Sequence, residues 1–131
     1  MICPSLSYVR TGLVSETLVH YKLLRWGHDA VSMSQDFAYD LLVLDDAPIR
    51  IQVKSTAKKP PAGSHQFRLC RGADKKYSPG DYDILALVAL DLERVHFTLY
   101  LDQLTVRVPF SKLGTEDEHH SWLAALDSLK Q

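Results

Sequence analysis

The fold is decided by the stretch Ile49-Arg50-Ile51-Gln52-Val53-Lys54-Ser55, which alternates apolar and polar residues as a short β-strand does. Its apolar residues share one face of the strand, and Arg50, Gln52 and Lys54 share the other face. An amide and an amine therefore project side by side from the polar face of a strand whose other face suits a core. The rest of the chain can be interpreted around this pair.

A second strand is predicted immediately before it, from Tyr39 to Asp45, with Asp40 near its start. Burial would make a lone charge at this place expensive. The stretch Asp45-Asp46-Ala47-Pro48 has the composition of a turn. If its first three residues form the hairpin loop, Asp40 falls opposite Gln52. The sequence then predicts that Asp40, Gln52 and Lys54 cluster on one face of two adjacent strands.

This order of an acid, a short hairpin and a Gln-x-Lys sequence resembles the PD-(D/E)xK nuclease superfamily. Asp40 matches the Asp of the motif, Gln52 matches its acidic position and Lys54 matches its lysine. Glu16, in the first predicted helix, matches the helical acid that many members carry upstream. The resemblance spans about residues 12–100 and is strongest to archaeal-type Holliday-junction resolvases and to small homing endonucleases. Gln52 departs from the motif by removing one negative charge, and no proline precedes Asp40.

The resemblance implies an α/β fold of the restriction-endonuclease type, with a central mixed β-sheet flanked by helices, in one domain over residues 1–131. It implies a DNA endonuclease that depends on Mg²⁺, for which Mn²⁺ substitutes. Asp40, the side-chain oxygen of Gln52 and the carbonyl of Val53 are the implied metal ligands. Glu16 is implied to hold a water or a second ion, and Lys54 to orient the attacking water and stabilise the charge that develops on the phosphate.

A different class of function stays open beside the enzyme. Asp40 and Lys54 can form a structural ion pair, with Gln52 an ordinary strand residue. The chain would then be a nuclease-fold module that holds DNA with weak cleavage or none, and Gln52 is the residue that motivates this alternative.

Basic residues are concentrated between Arg50 and Lys76, a segment with eight of the 15 basic and one of the 16 acidic residues. Its formal charge is +7, and that of the remaining chain is −8. Such an excess favours a polyanion as partner, here duplex or branched DNA, over the alternative of a solvated lysine-rich loop. The candidate DNA contacts are Lys58, Lys59, Arg68, Arg71, Lys75 and Lys76.

A helix is predicted from Gly12 to Trp26, with Gly27 as its C-terminal stop. Glu16 and His20 lie four residues apart and so share one helix face. For Glu16, the alternative to a site residue is a solvent-facing acid. The apolar residues that recur at helical spacing are expected to face the core, namely Leu13, Val14, Leu18, Tyr21 and Leu24.

A central strand is predicted from Asp83 to Leu90, because this stretch is apolar on both faces. A helix is predicted from Glu116 to Leu129. The pair His119-His120 near its start is interpreted as exposed rather than metal-binding, since no partner acid or cysteine has suitable spacing. Further strands are predicted at residues 29–34, 66–71, 94–101 and 105–108, and the last helix should turn Trp122, Leu123, Leu126 and Leu129 inward.

Composition bounds the class of protein. With 46% hydrophobic residues in a chain of 131, one core can form. Cys3 and Cys70 lack metal-site spacing and fit a reducing compartment. No signal peptide is recognised, and the longest apolar run is too short for a bilayer. A cytoplasmic protein without a membrane segment is therefore expected, and cutting both strands of DNA implies a homodimer or homotetramer.

Overall fold

Five strands form the main sheet of the computed structural model, which describes residues 7–57, 63–72 and 75–131. Two further strands form a small second sheet. In chain order the elements are α1 (Tyr8–Arg25), β1 (Ala30–Ser32), β2 (Leu41–Val43), β3 (Ile49–Thr56), β4 (Ser64–Arg68), β5 (Ile84–Ala89), β6 (Arg94–Leu99), β7 (Thr105–Pro109), α2 (Phe110–Leu113) and α3 (Glu118–Leu129).

The main sheet is mixed, with the strand order β1-β2-β3-β5-β6. Its first three strands are antiparallel neighbours, β3 runs parallel to β5, and β5 is antiparallel to β6. All six residues of β5 are buried, which confirms the predicted central strand. The α/β class with a central mixed sheet and flanking helices is therefore the one predicted.

The β2–β3 hairpin has the predicted register. Leu41 pairs with Ile51, and Leu42 pairs with Arg50. The backbone N–H of Asp40 also donates to the carbonyl of Ile51 at 2.8 Å, which continues the pairing by one residue. Asp40 therefore lies opposite Gln52, as the assumed three-residue loop requires.

One face of the main sheet is covered by α1 and α3. The core there joins Ile51 and Val53 of β3 to Val19 and Leu23 of α1 and to Trp122 of α3, and these side chains are at most 7% exposed. Burial of this apolar face supplies most of the drive for helix and sheet to associate.

The first helix differs from its prediction in start and in orientation. It begins at Tyr8 rather than Gly12, because the side chain of Ser7 accepts a hydrogen bond from Arg10 N as an N-cap. The inward residues are Ser15, Val19 and Leu23. Ser15 can be buried because its hydroxyl donates to the carbonyl of Thr11 at 2.8 Å, which satisfies it within the helix. Four residues predicted to face inward are exposed, namely Leu13, Val14, Tyr21 and Leu24.

The other face of the main sheet is covered by the small sheet of β4 and β7. Phe67 and Val108 of this antiparallel pair pack against Leu85 and Leu87 of β5. The strand predicted at residues 105–108 is thus present as β7, but it pairs with β4 and does not extend the main sheet. The face that carries Gln52 and Lys54 is the face on which this second sheet lies, since Gln52 pairs with Leu85.

The last helix starts at Glu118, two residues after its predicted start, and it turns Trp122 and Ala125 inward. Leu123 is 50% exposed, so its predicted inward position is wrong. Ala125 is 5% exposed and belongs to the same core cluster as Trp122. Within residues 7–57, 63–72 and 75–131, none of the helices has the length and apolar character needed to span a membrane.

Candidate active site

The site is built where β2 stops pairing with β3. Alternate residues of a strand point their backbone groups to the same side, so Val53 faces the side of β2 as Ile51 does, but β2 no longer reaches it. The carboxylate Oδ2 of Asp40 accepts from Val53 N at 2.8 Å. The amide Nε2 of Gln52 donates to Val53 O at 3.2 Å. The two side chains therefore satisfy the backbone groups that the end of the ladder leaves open.

Gln52 is only 6% exposed, although it lies on the polar face of β3. Its amide nitrogen is used by Val53. Among the described residues its amide oxygen has no hydrogen-bond partner, so this oxygen can act as an acceptor or a ligand. Asp40 is half-buried, and burial raises its pKa, while the hydrogen bond from Val53 and the charge of Lys54 lower it.

Glu16 approaches this pair from helix α1. Burial, and secondarily the charge of Asp40, raise the pKa of Glu16 to about 7. That Glu16 belongs to one site with Asp40 stays a prediction.

Lys54 is held by the loop that follows β4. Its Nζ donates to the carbonyl of Cys70 at 2.9 Å and lies 5.0 Å from the centre of the Tyr77 ring. Burial lowers the pKa of Lys54, and the charge of Asp40 opposes this effect. A cation in this place gains from the ring face and from the Cys70 carbonyl, which together hold the ammonium in position.

Three tyrosines fix the loop over the lysine. Tyr100 donates its hydroxyl hydrogen to the carbonyl of Tyr77 at 2.6 Å. The rings of Tyr77 and Tyr82 meet edge to face at 5.4 Å, and Tyr82 contacts Tyr100 at the same distance. The sequence did not single out Tyr77 or the Cys70 carbonyl as site groups. Strand alternation cannot place a loop carbonyl, and only the distances show it.

Two polar residues near the motif have other roles. The carboxylate of Asp83 accepts from Arg50 N at 2.8 Å and from Arg50 Nη2 at 3.0 Å, so Arg50 is part of an ion pair between β3 and β5. His20 bonds the carbonyl of Ala30 at 2.7 Å and fastens α1 to β1. Among the described residues, neither Arg50 nor His20 makes a hydrogen bond to Asp40.

The donor set suits a hard cation. Glu16 and Asp40 offer two carboxylates, Gln52 an amide oxygen, and Val53 a carbonyl that keeps a second lone pair. Magnesium prefers such oxygen ligands. In the part of the chain that the structure describes, no three His, Cys, Asp or Glu residues are grouped for a metal. The candidate site therefore offers two acids and neutral oxygens. The ring of His119, a residue that was not predicted to bind metal, stacks on that of Trp26 at 4.7 Å.

The predicted DNA contacts are only partly described. Lys58 and Lys59 lie outside the described residues. Arg68 and Lys75 are exposed, and the turn between them is closed by a hydrogen bond from Arg71 N to Lys75 O at 2.7 Å. These cations lie on the segment that supplies the Cys70 carbonyl to Lys54.

Acidic residues lie among these cations. Arg71 Nη1 is 3.9 Å from Asp81 Oδ2, and Lys76 Nζ is 3.3 Å from Asp102 Oδ1. The Lys76–Asp102 pair is solvent-exposed on both sides and the Arg71–Asp81 pair on the side of the arginine, so each contributes little to stability. They nevertheless reduce the positive charge of the loop below what its own sequence indicates.

The comparisons with known proteins agree with this fold. The structure is similar to that of a bacterial homing endonuclease, with a TM-score of 0.72 and 15% sequence identity over 96% of each chain. A likeness at this identity establishes the fold and supports the predicted α/β class. No family model matches the sequence, and no curated protein does so either.

Proposed function

We propose that this chain is a metal-dependent DNA endonuclease of the PD-(D/E)xK type, with Glu16, Asp40, Gln52 and Lys54 as its site. One observation carries the proposal: the Asp40 carboxylate, opposite Gln52, accepts from Val53 N at 2.8 Å, next to Lys54 in the chain, and the pKa values of Asp40, Lys54 and Glu16 are all shifted, chiefly by burial. Converging titratable groups with shifted pKa values are typical of active sites. The fold shared with a bacterial homing endonuclease supports the same reading.

Each side chain has a definite task in phosphodiester hydrolysis. The Lys54 ammonium, held by the Cys70 carbonyl, would donate to a phosphate oxygen and stabilise its developing negative charge. Glu16 has a pKa of about 7 and would accept the proton of the attacking water near neutral pH. Asp40 accepts from Val53 N, and its charge opposes the lowering of the Lys54 pKa by burial.

The residues that would hold Mg²⁺, or Mn²⁺ in its place, are Asp40, Gln52 and Val53, and Glu16 would hold a water beside the ion. When bound, the ion would neutralise phosphate charge and make water easier to deprotonate. Because Gln52 contributes no charge, we expect weaker metal binding than at a site with three carboxylates.

The substrate we propose is duplex or branched DNA, cut in the manner of a homing endonuclease or a Holliday-junction resolvase. Cutting two strands needs two active sites. The protein is therefore proposed to work as a homodimer or homotetramer, which light scattering of the purified protein would measure.

The experiment is a cleavage assay on supercoiled plasmid and on a four-way junction, with and without Mg²⁺. Lys54→Ala and Asp40→Asn should abolish cleavage while duplex binding at low salt stays within about threefold, since neither residue is among the exposed cations that are the candidate DNA contacts. Lys130→Ala, which changes an exposed lysine at the end of α3, is the matched control. Full cleavage by either site variant, with its fold verified by circular dichroism, would exclude that residue from the mechanism.

A DNA-holding module without cleavage is the second candidate. The observation that favours it is the burial of Gln52 and its bond to Val53, which an ordinary structural glutamine would also show. This candidate predicts a wild type that binds DNA and never cuts it under any metal. The appearance of cleavage in Gln52→Glu alone would establish it.

A further inference from the structure

The two-stranded sheet of β4 and β7 has one face on the core and one face in solvent. His65 and Phe67 of β4 and Val108 of β7 point inward and are at most 4% exposed. His65 Nε2 also bonds the carboxylate of Asp91 at 2.9 Å, which ties the sheet to the end of β5. The buried inward residues and the bond between His65 and Asp91 therefore hold the outward face in place.

The outward residues include no acid, and all of them except Pro109 are polar. Alternation along the strands turns Gln66 and Arg68 of β4 outward, and Thr105 and Arg107 of β7, and all four are exposed. Gln66 pairs with Arg107, and Arg68 pairs with Thr105, so the four side chains form one compact square. Among the described residues Arg107 makes no ion pair.

The size of this ribbon matches the major groove of B-DNA. Two strands about 4.8 Å apart, with their side chains, fit a groove about 12 Å wide, which admits a two-stranded β-ribbon. Five residues per strand extend roughly 17 Å, or about five base pairs. Arginine pairs with guanine O6 and N7, glutamine with adenine N6 and N7, and threonine contacts the thymine methyl group.

The ribbon also lies beside the candidate active site. Arg68 ends β4, and Cys70 follows it by two residues and accepts the hydrogen bond from Lys54. Two extended residues span about 7 Å, which is about two base pairs along a duplex. Bases read by the ribbon would therefore lie within about seven base pairs of the cleaved phosphate.

We propose that the β4–β7 ribbon reads base edges in the major groove of duplex DNA through Gln66, Arg68, Thr105 and Arg107. The proposal rests on the proposed nuclease function for its substrate class and adds the source of sequence preference. The basic loop, defined as the segment after β4 that carries Arg71, Lys75 and Lys76, contacts phosphates and supplies affinity. The ribbon supplies specificity.

The first test selects bound duplexes from a random library without Mg²⁺, so that no DNA is cut. The wild type should enrich a defined sequence. Arg107→Ala should lose the preference at one or two base pairs, with a loss of on the order of tenfold to a hundredfold in discrimination there. Lys75→Ala, the matched control for a phosphate contact, should weaken binding to all duplexes alike and keep the same preferred sequence.

The second test locates the contact in the groove. Replacing guanine by 7-deazaguanine in the selected duplex removes N7 from the major groove and leaves base pairing intact. At the guanine read by Arg107, this change should weaken wild-type binding about tenfold and should not weaken binding by Arg107→Ala. An equal effect on both proteins, or none on either, overturns the proposal.

The outcomes separate this proposal from the nuclease proposal. A wild type that cuts plasmid DNA yet enriches no sequence overturns the ribbon proposal and leaves the nuclease standing. A wild type that enriches a sequence through Arg107 and never cuts overturns only the nuclease. Failure to bind any duplex at low salt overturns both.

Discussion

Glu16 is the residue whose protonation most clearly couples this site to stability. Its pKa is about 7 in the folded protein and 4.5 in the reference state, so the folded protein binds the proton more tightly. The free energy of unfolding of the metal-free protein should therefore fall as pH rises from about 4.5 to 7. Urea denaturation in EDTA at pH 4.5 and pH 8 should show a decrease about 1–2 kcal/mol larger for the wild type than for Glu16→Gln, a value already reduced for partial solvation. Parallel curves for the two proteins would show that Glu16 is solvated.

Charge at the metal site gives a second prediction at this scale. Gln52→Glu adds the carboxylate that the motif lacks, so cleavage should persist and reach half its maximum at a lower Mg²⁺ concentration. Glu16→Gln removes one of only two acids, so cleavage should fall by at least about a hundredfold, as for a general acid–base group. The measurement is a magnesium titration of plasmid cleavage for the wild type and both variants. Unchanged activity of Glu16→Gln would show that Glu16 takes no part in cleavage.

Tyr77 gives the third prediction, through its position over Lys54. The ring face lies 5.0 Å from the ammonium, so Tyr77→Phe should keep cleavage close to wild type, whereas Tyr77→Leu should lower kcat with little change in KM. A positioning role requires this rescue by an aromatic ring. If Phe and Leu reduce kcat equally, the ring face does not position the lysine.

Strand alternation and hairpin length were sufficient to predict the strand pairing at the candidate site. Asp40 lies opposite Gln52 because a three-residue loop fixes the parity of both strands. The contacts of Lys54 with Cys70 and Tyr77 could not be predicted from the sequence, because they depend on how a loop folds back across the sheet. The roles of all these residues in catalysis stay predictions.

At the scale of elements, α3 protects the edge of the main sheet. Val95 N donates to the carboxylate of Glu118 at 2.7 Å, and Phe97 N donates to the hydroxyl of Ser121 at 3.1 Å. Side chains of the helix thus take the place of a further strand along β6, which prevents edge-to-edge pairing.

Ser121→Ala tests this protection. The change leaves the buried N–H of Phe97 without its partner, so the free energy of unfolding should fall by about 1–3 kcal/mol. Ser128→Ala, on the exposed side of the same helix, is the control and should change stability by less than about 0.5 kcal/mol. Equal midpoints for both variants in urea would mean that the Ser121 bond contributes nothing.

Element types were predictable to the extent that hydrophobic pattern alone decides them. The strand at residues 84–89 was recognised because both its faces are apolar. The orientation of α1 was not, because the helix presents Ser15 to the sheet and leaves Leu13 and Leu24 exposed. A serine that bonds its own helix is indistinguishable by sequence from a solvent-facing one. The partner of β7 likewise depends on a long-range pairing with β4.

Over the whole molecule, the two faces of the main sheet are covered by different elements. Helices α1 and α3 build the larger core on one face, while the second sheet, the basic loop and Lys54 occupy the other. The excess of positive charge between Arg50 and Lys76 was visible in the sequence, but Asp81 and Asp102 reach it from later segments. Charge counted along the chain therefore overstates the field that DNA would meet.

Asp102 supplies the last prediction, because it lies 3.3 Å from Lys76 at the edge of the basic loop and is 71% exposed. If DNA binds along this loop, Asp102 repels phosphates within the screening length of about 10 Å at 0.1 M salt. Asp102→Asn should therefore tighten duplex binding by roughly twofold to tenfold. Lys76→Gln should weaken it and make the dependence of log K on log salt shallower by about 0.9.

The control for this prediction is Asp127→Asn, which makes the same change of net charge on the exposed side of α3, across the sheet from the loop. Fluorescence anisotropy over a range of salt concentrations measures all three variants. An equal gain from Asp102→Asn and Asp127→Asn would mean that only net charge matters. No gain from Asp102→Asn would place the DNA away from this loop, because an acid within a screening length of the phosphate backbone cannot be neutral to its binding.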